Sequence, residues 1–317
     1  MTAPASGRTL LSVVTSCYNE EDNVRQLAEA VRAVMAKHPK YGYEHIFIDN
    51  CSRDSTQQIL REMCAANRNI KAIFNARNFG AVRSGIHVLL QTRGAAVLGL
   101  ACDFQDPPEL LSEFIARWEQ GSKIILGVKT SAAERSLFYG IRGAYYRLLG
   151  RISDAPPVVQ STGFGMFDRV VIEHLRRLGD PYPFFRGLLS EIGFEPALVP
   201  YHQPQRKRGI TSQNFYSLYD QAFLGITSHS KVPLRIATML GFVMGVLSIL
   251  TGLGYLIAKL TNWDNFSLGI APILVGFFFL TSIQLFFIGI VGEYVGVIWT
   301  HVRDVPHIFE RERINFE

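Results

Sequence analysis

The chain has 317 residues, of which 48% are hydrophobic and 19% are charged, and no tract is compositionally biased. This length is sufficient for one large globular domain and a further region. The net charge of +5 is modest and accompanies no basic stripe with interleaved aromatic residues, which argues against nucleic-acid binding. A charge of this size suits anionic lipid headgroups or phosphate substrates.

The first 130 residues predict a regular alternation of strands and helices. Five apolar runs predict strands: LLSVVTSC from Leu10, HIFID from His45, IKAIFN from Ile70, AAVLGLAC from Ala95 and KIILGV from Lys123. Apolar residues at helical spacing predict one helix that starts near Val24, a second over about residues 55–66 and a third that starts near Gly80. This alternation predicts an α/β domain with a mostly parallel, doubly wound sheet.

Four carboxylates follow predicted strands, namely Glu20, Asp49, Asp103 and Asp106. In a sheet of this kind, ligands bind beyond the carboxyl ends of the strands. Carboxylates that converge there repel one another unless they meet a cation or hydrogen-bond donors. Because Mg²⁺ and Mn²⁺ prefer oxygen ligands and can hold a diphosphate, the pattern predicts one of these ions as a cofactor.

Two of these acids have simpler interpretations. Asp49 could be only an acid at the start of a helix, since Asp and Asn are common after strands. Asp106, which precedes Pro107 and Pro108, also has the character of a helix start. Asp103 has no comparable capping role and is the strongest candidate for function. No GxGxxG motif follows the first strand and no GxxxxGK[ST] motif is present, which excludes the common dinucleotide and Walker-type sites.

Two long apolar segments follow the predicted α/β domain. Residues 234–260 carry charges only at Arg235 and Lys259, near the edges, and residues 270–292 carry none. Both segments have the length and composition of membrane-spanning helices. A buried helix of a soluble protein is the alternative for the first segment.

The basic residues around these segments predict their orientation. The connection over residues 261–269 has no Lys or Arg, whereas Lys231 and Arg235 flank the first segment and Arg303 and Arg311 follow the second. The positive-inside rule therefore places both ends and the N-terminal domain in the cytoplasm. That location argues against disulfides, and no metal-site spacing is present, so we expect small core or loop residues at Cys17, Cys51, Cys64 and Cys102.

These patterns predict a division of the chain into six parts. Apolar residues among polar ones after residue 210 suit an amphipathic helix in the headgroup region. The predicted parts are an α/β domain over 1–210, a juxtamembrane amphipathic segment over 211–232, transmembrane helices over 233–260 and 270–298, an external loop over 261–269 and a cytoplasmic tail over 299–317.

Seven segments carry a resemblance to a known family. They read TSCYNEEDN, IDNCSRDST, RNFGAVRSG, DFQDPPEL, RKRG, SKVPLR and GEYVG, in that order along nearly the whole chain. The chain resembles the family 2 glycosyltransferases of GT-A fold. Within that family it is similar to the polyisoprenyl-phosphate glycosyltransferases, which include dolichyl-phosphate mannose synthase and bacterial bactoprenol glucosyltransferases. The resemblance implies inverting transfer of one sugar from a UDP-sugar to a polyisoprenyl phosphate, such as undecaprenyl phosphate, by a multi-pass protein of the bacterial inner membrane with its catalytic domain in the cytoplasm.

The resemblance also implies roles for individual residues. The residues implied for the nucleotide-sugar are Tyr18, Asn19, Glu20, Asp49 and Asn78. The implied catalytic residues are Asp103, Gln105 and Asp106, of which Asp103 would bind Mg²⁺ or Mn²⁺ with Gln105 nearby. The residues implied for the lipid phosphate are Arg135, Arg142, Arg206 and Arg208, although the 206–208 cluster could instead be an exposed loop that faces lipid headgroups.

The chain departs from the family's pattern at two positions near these residues. Relatives usually carry an Asp two positions before the metal-binding Asp, where this chain has Ala101, and their Asp-Asp-Gly has Asn50 in place of its second Asp. The acceptor phosphate is already an anion at neutral pH, so a general base is not required. Two other functions remain open: a catalytically silent assembly or scaffold subunit, and a processive polysaccharide synthase. The resemblance further implies a homo-oligomer, a tetramer in the close relatives.

Overall fold

The computed structural model describes residues 8–130, 161–179, 185–204, 227, 230–261, 270–302 and 308–317. The strands in this part of the chain are β1 (Thr9–Cys17), β2 (Tyr41–Asp49), β3 (Ile70–Asn75), β4 (Ala96–Gly99), β5 (Ile124–Lys129), β6 (Ser161–Asp168), β7 (Pro196–Tyr201) and β8 (Glu310–Ile314). The helices are α1 (Val24–Ala36), α2 (Thr56–Ala66), α3 (Ala81–Leu90), α4 (Leu111–Glu119), α5 (Arg169–Leu178), α6 (Phe185–Ile192), α7 (Val232–Thr261) and α8 (Ile270–Val302).

The strands form a single sheet in the order β7-β5-β6-β4-β1-β2-β3-β8. The central strands β4, β1, β2 and β3 are parallel, because a helix crosses over between each strand and the next in the chain. On either side, β6 runs antiparallel to β4 and β8 runs antiparallel to β3, while β7 is parallel to β5. The predicted α/β class with a mostly parallel sheet is confirmed.

Helices cover both faces of the sheet. On one face, α2 and α4 bury Leu60 and Phe114 against strand residues such as Phe47. On the other face, α3 buries Val88 in a layer that includes Ile48, because successive strand residues point to opposite faces. Full burial of a side chain of this size contributes about 1.5 to 3 kcal/mol. Since both faces are covered, the side chains available to a ligand lie at the ends of the strands.

Strand β4 is shorter than the sequence predicts. The prediction covers residues 95–102, but the strand ends at Gly99. Leu100 and Cys102 are buried, which explains why their apolar character continues that of the strand. Phe104 has a φ of 58°, which lies outside the range of a strand, so the chain turns here. Asp103 therefore lies in a loop beyond β4 and not on the strand itself.

Three strands of the sheet are absent from the predicted set, and one of them lies in the predicted tail. The sequence predicts a tail over 299–317, but within it the chain returns to the sheet and β8 pairs with β3. The Asn315 side chain donates hydrogen bonds to the carbonyls of Cys64 and Ile70, both at 2.8 Å. The chain that follows the second apolar helix is therefore the edge strand of the α/β domain.

The helices α7 and α8 could each span a membrane by length and composition. Each contains a stretch with a mean hydropathy of 2.1, and α7 has no described side chain that is buried. Tyr294 Oη on α8 donates a hydrogen bond to the Ser230 carbonyl, which precedes α7, at 2.6 Å. The prediction of two C-terminal apolar helices is confirmed, and their orientation stays a prediction. Most of the predicted juxtamembrane segment 211–232 lies outside the described residues.

Candidate active site

Three loops that follow neighbouring parallel strands bring the predicted carboxylates together. Cys17 pairs with Asp49 in the register of β1 and β2, and Val14 pairs with Gly99 in that of β1 and β4. Burial raises the pKa of the Cys102 thiol, and the nearby charges of Glu20 and Asp103 raise it further. The residues after β1 and those after β4 thus lie beside the same buried thiol.

The four cysteines behave as the sequence predicts. Cys17, Cys64 and Cys102 are buried, Cys51 is half-buried, and all four are free thiols. Burial raises the pKa of Cys17 well above its ordinary value, and the neighbouring Cys102, Asp49 and Glu20 act in the same direction. Cys17 and Cys102 therefore stay neutral at physiological pH and pack behind the carboxylates.

The loop after β1 is fixed by the loop after β2. The Asn19 backbone N–H donates to Ser52 Oγ at 2.8 Å, and the Glu20 N–H donates to Thr56 Oγ1 at 2.8 Å. In return, Asn19 Oδ1 accepts a hydrogen bond from the Arg53 N–H at 2.9 Å. These bonds leave the Tyr18 side chain 39% exposed at the surface of the loop. A partly exposed ring on a fixed loop is suited to contact a planar ligand.

Asp49 lies beneath this pair of loops and is fully enclosed, with 0% of its surface exposed. Its carboxylate accepts hydrogen bonds from the Ser52 N–H, at 3.1 and 3.2 Å, and from Gln57 Nε2 at 2.8 Å. Burial raises the pKa of Asp49, while the bonds from Ser52 and Gln57 oppose that shift. In this conformation Asp49 organises the turn that follows β2.

Asn50 and Asn75 support the loop that carries Asn78. Asn50 Oδ1 accepts hydrogen bonds from Asn75 Nδ2 at 3.1 Å and from the Phe79 N–H at 2.9 Å. Asn78 is exposed, and its Oδ1 accepts a hydrogen bond from the Gly80 N–H at the start of α3. The Asn50 amide therefore links the end of β2 to the loop after β3.

Asp103 and Asp106 form a buried acidic pair after β4. They are 8% and 7% exposed, and Asp103 Oδ1 accepts a hydrogen bond from the Gln105 N–H at 3.2 Å. Asp106 Oδ2 accepts from the Ala101 N–H at 2.9 Å, and its Oδ1 accepts from the Tyr201 hydroxyl at 3.3 Å. Burial, together with the charge of Asp103, raises the pKa of Asp106 to about 6.

The backbone is unusual at all three of these loops. Asn19, Cys51 and Phe104 have φ values of 55°, 64° and 58°, in the left-handed region that few residues other than glycine adopt. Each follows a different central strand, β1, β2 or β4. Left-handed backbone at a residue that is not glycine costs about 1 to 3 kcal/mol and tends to occur at functional sites. The three loops share this property at one edge of the sheet.

The side chains after β4 suit a divalent cation that would also be held by the phosphates of a bound substrate. Among the described residues, no group of three or more His, Cys, Asp and Glu side chains is arranged to enclose a metal. Mg²⁺ is commonly held by one or two carboxylates together with substrate phosphates. Asp103, with Gln105 beside it and Asp106 close enough for the charge of Asp103 to raise the pKa of Asp106, provides such a partial set.

Two residues of this region were not predicted from the sequence. Lys129 ends β5 and pairs in register with Tyr201, which ends β7. The charge of Lys129 opposes the rise in the pKa of Asp106, so it lies close to that carboxylate. Its position at the end of a predicted strand is the only signal in the sequence that could have identified it.

The predicted lipid-phosphate residues all lie outside the described residues: Arg135, Arg142, Arg206 and Arg208.

The chain is similar to one protein family and to several known proteins. The family described as Glycosyl transferase family 2 matches residues 12–176, more than half of the chain. An uncharacterized glycosyltransferase of Synechocystis is 31% identical over 93% of both chains, and a prophage-derived bactoprenol glucosyl transferase of Shigella flexneri is 30% identical over 93% of this chain and 96% of its own. A mannosyltransferase structure from Pyrobaculum calidifontis, solved with GDP-Man and Mn²⁺, aligns at 13% identity with a TM-score of 0.47 over 94% of this chain and 87% of that one. By its sequence, the chain belongs to glycosyl transferase family 2.

Proposed function

We propose that this glycosyltransferase transfers one sugar from a UDP-sugar to a polyisoprenyl phosphate such as undecaprenyl phosphate, with inversion, at the cytoplasmic face of the membrane. The observation that carries the proposal is the convergence of Glu20 and Asp103 beside one buried thiol, with Asp106 next to them. The name bactoprenol glucosyl transferase, borne by a relative that is 30% identical, supports a polyisoprenyl acceptor. The helices α7 and α8 support a place at the membrane.

In the proposed reaction, the protein does not need to activate the acceptor. A phosphate acceptor is already an anion at neutral pH and attacks the anomeric carbon directly, so the protein's task is to stabilise the departing nucleoside diphosphate. Asp103, with Gln105, would hold Mg²⁺ or Mn²⁺, and the ion when bound would neutralise charge on that diphosphate. The fixed loops around Asn19 and Ser52 orient the nucleotide without reorganisation during the reaction.

The fixed geometry of Asp106 suits a role on the sugar side of the site. Both of its oxygens accept hydrogen bonds from the protein, so the carboxylate is held in one orientation. Its pKa of about 6 leaves it largely ionised at neutral pH. A buried, oriented carboxylate can bind sugar hydroxyls and can stabilise positive charge that develops at the anomeric carbon.

The test is transfer of label from UDP-sugars into lipid. Purified full-length protein in detergent is mixed with undecaprenyl phosphate and each of a panel of radiolabelled UDP-sugars, with Mg²⁺, with Mn²⁺ or with EDTA. We expect label in the lipid phase with one sugar, loss of transfer with EDTA, and a fall of at least about 100-fold for Asp103→Asn.

Asp168→Asn is the matched control for this substitution. Asp168 is also 8% exposed, but it lies opposite Ala96 at the start of β4, away from the carboxyl end of that strand, and binds Trp118 and Lys123. We expect this variant to lose stability and retain transfer. A folded wild-type protein that transfers no sugar and binds no UDP would refute the proposal and favour the catalytically silent subunit.

A further inference from the structure

A chain of hydrogen bonds joins β8 to the turn after β2. Arg311 Nη2 on β8 donates to Gln57 Oε1 at 2.7 Å. Gln57 Nε2 in turn donates to Asp49 Oδ2 at 2.8 Å and to the Ser52 carbonyl at 3.0 Å. The segment that follows the second apolar helix therefore reaches the candidate nucleotide site through a single intervening side chain.

An irregularity in the pairing of β8 with β3 directs Arg311 toward this site. Glu312 lies opposite Phe74 and Glu310 lies opposite Asn75, so Arg311 is an extra residue on β8. Such a bulge changes the direction in which a side chain points.

The contacts of the neighbouring residues show the effect of the bulge. In a regular strand, Arg311 and Glu312 would point to opposite faces of the sheet. Here both reach α2, since Arg311 bonds Gln57 and Glu312 bonds Arg61. Arg313, by contrast, bonds Gln91 at the end of α3. The bulge thus places the Arg311 side chain on the face of the sheet that α2 covers, together with Glu312.

The donor and acceptor chemistry of these groups fixes the orientation of Gln57. A guanidinium has only hydrogen-bond donors, so Arg311 can bond only the oxygen of the Gln57 amide. With that oxygen occupied, the amide nitrogen faces Asp49 and Ser52. If the amide turned over, its oxygen would face the Asp49 carboxylate, and two acceptors would repel each other. Arg311 therefore selects the amide orientation that supports the turn.

We propose that Arg311 is a positioning residue for nucleotide binding, because it fixes Gln57 and thereby the turn of Asp49 and Ser52. The same turn holds the loop after β1 through the bond from the Asn19 N–H to Ser52 Oγ. This inference rests on the proposed function, since it takes these loops as the nucleotide site. It assigns to the chain beyond the second apolar helix a role in substrate binding.

The test compares Arg311→Met with Arg313→Met in the full-length protein in detergent. Arg313 is the matched control, because it is also exposed on β8 but its bonds go to Glu310 and Gln91 instead of Gln57. Calorimetric titration with UDP and Mg²⁺ measures the Kd. We expect Arg311→Met to raise the Kd about three- to tenfold, the value of one hydrogen bond. We expect Arg313→Met to change it by less than about twofold, since the bonds of Arg313 to Glu310 and Gln91 do not reach the turn after β2.

Further variants separate positioning from a general loss of stability. Gln57→Met should weaken UDP binding by a similar factor, and the double variant Gln57→Met with Arg311→Met should be no weaker than Gln57→Met alone. Arg311→Lys should restore part of the affinity, because an ammonium can also donate to Gln57 Oε1. At saturating UDP-sugar, kcat should stay at the wild-type value. Equal effects of Arg311→Met and Arg313→Met, or additive effects in the double variant, would overturn the inference.

Hydrogen exchange provides a readout that does not depend on the ligand. The Ser52 amide bonds Asp49, so Arg311→Met should speed exchange in a peptide that spans residues 50–57, and Arg313→Met should not. If the wild-type protein binds no UDP but this exchange pattern is present, the proposed function fails and the positioning of the turn stands. If the exchange is unchanged, the positioning itself is refuted.

Discussion

The Tyr201 hydroxyl lies 3.3 Å from Asp106 Oδ1, so the last residue of β7 contacts a carboxylate that is 95 residues away in the chain. The other oxygen of Asp106 accepts the Ala101 N–H. Burial is the main reason that the pKa of Asp106 rises to about 6, and the Tyr201 and Ala101 bonds limit that rise because they favour the ionised form. The charge of Asp106 therefore changes close to neutral pH.

Removal of the tyrosine hydroxyl should make Asp106 harder to ionise. In Tyr201→Phe the ring remains but the donor is lost, so the pKa of Asp106 should rise above about 6. If the ionised form is the active one, as proposed, the acidic limb of the profile of kcat/KM against pH should shift upward by about half a unit to one unit. Activity at pH 8 should change little.

The control for this variant is Tyr41→Phe. The Tyr41 hydroxyl donates to Glu119 at 2.7 Å at the start of β2, away from the candidate site, so Tyr41→Phe should leave the profile unchanged. An acidic limb that stays in place in Tyr201→Phe would show that Asp106 does not govern the pH dependence.

The parts of the site that follow strand ends could be predicted from the sequence. Asp49 and the residues after β1 converge because parallel strands bring their carboxyl ends to one edge, and the strand and helix patterns predict that topology. The partnership of Asp106 with Tyr201 has no such local signal, because it depends on the pairing of β5 with β7. The sequence placed Asp103 directly after a strand, because the apolar residues Leu100 and Cys102 continue the pattern of β4. These two residues are apolar because they are buried in a loop, and they are not part of the strand.

Strand β8 shows a second limit of sequence patterns. Its sequence ERERI reads as a charged, solvated tail. In the fold these charges have partners from helices on both faces of the sheet: Glu312 bonds Arg61 and Glu310 contacts His87. An edge strand rich in charge also resists pairing with other chains. The run of charged residues therefore indicated a position near the surface, but it did not indicate a strand.

Asn50 should be required for the loop that carries Asn78. Asn50→Ala removes the acceptor for Asn75 Nδ2 and the Phe79 N–H, and should lower the free energy of unfolding by about 1 to 3 kcal/mol. Asn50→Asp keeps an oxygen acceptor at this position, so it should lose less stability. Thermal unfolding in detergent measures both. Equal losses would show that the acceptor at position 50 does not hold this loop.

Gly165 should be irreplaceable for steric reasons. A Cβ at this position of β6 would lie 2.2 Å from the Ile125 carbonyl oxygen on the adjacent strand β5. We therefore expect Gly165→Ala to separate these strands and to reduce the amount of folded protein. Gly85→Ala is the control, because a Cβ there meets nothing within 4 Å and alanine favours a helix by about 1 kcal/mol. Similar melting temperatures for the two variants would contradict this steric account.

Glu310 should stabilise the fold in a pH-dependent way through its contacts with His87 and Arg313. Burial raises the pKa of Glu310, but the hydrogen bonds from His87 and Arg313 outweigh it and lower the pKa from 4.5 to about 2. A carboxylate with a lowered pKa stabilises the folded state above its ordinary pKa, and this contribution is lost as the pH falls toward the folded-state value. The difference in melting temperature between wild type and Glu310→Gln should therefore be largest at neutral pH and should shrink as the pH falls below 4.5 toward about 2. Glu113→Gln, which alters an exposed pair with Arg117, should show a small difference at every pH. A constant difference for Glu310→Gln across this range would mean that its charge does not hold β8 in the sheet.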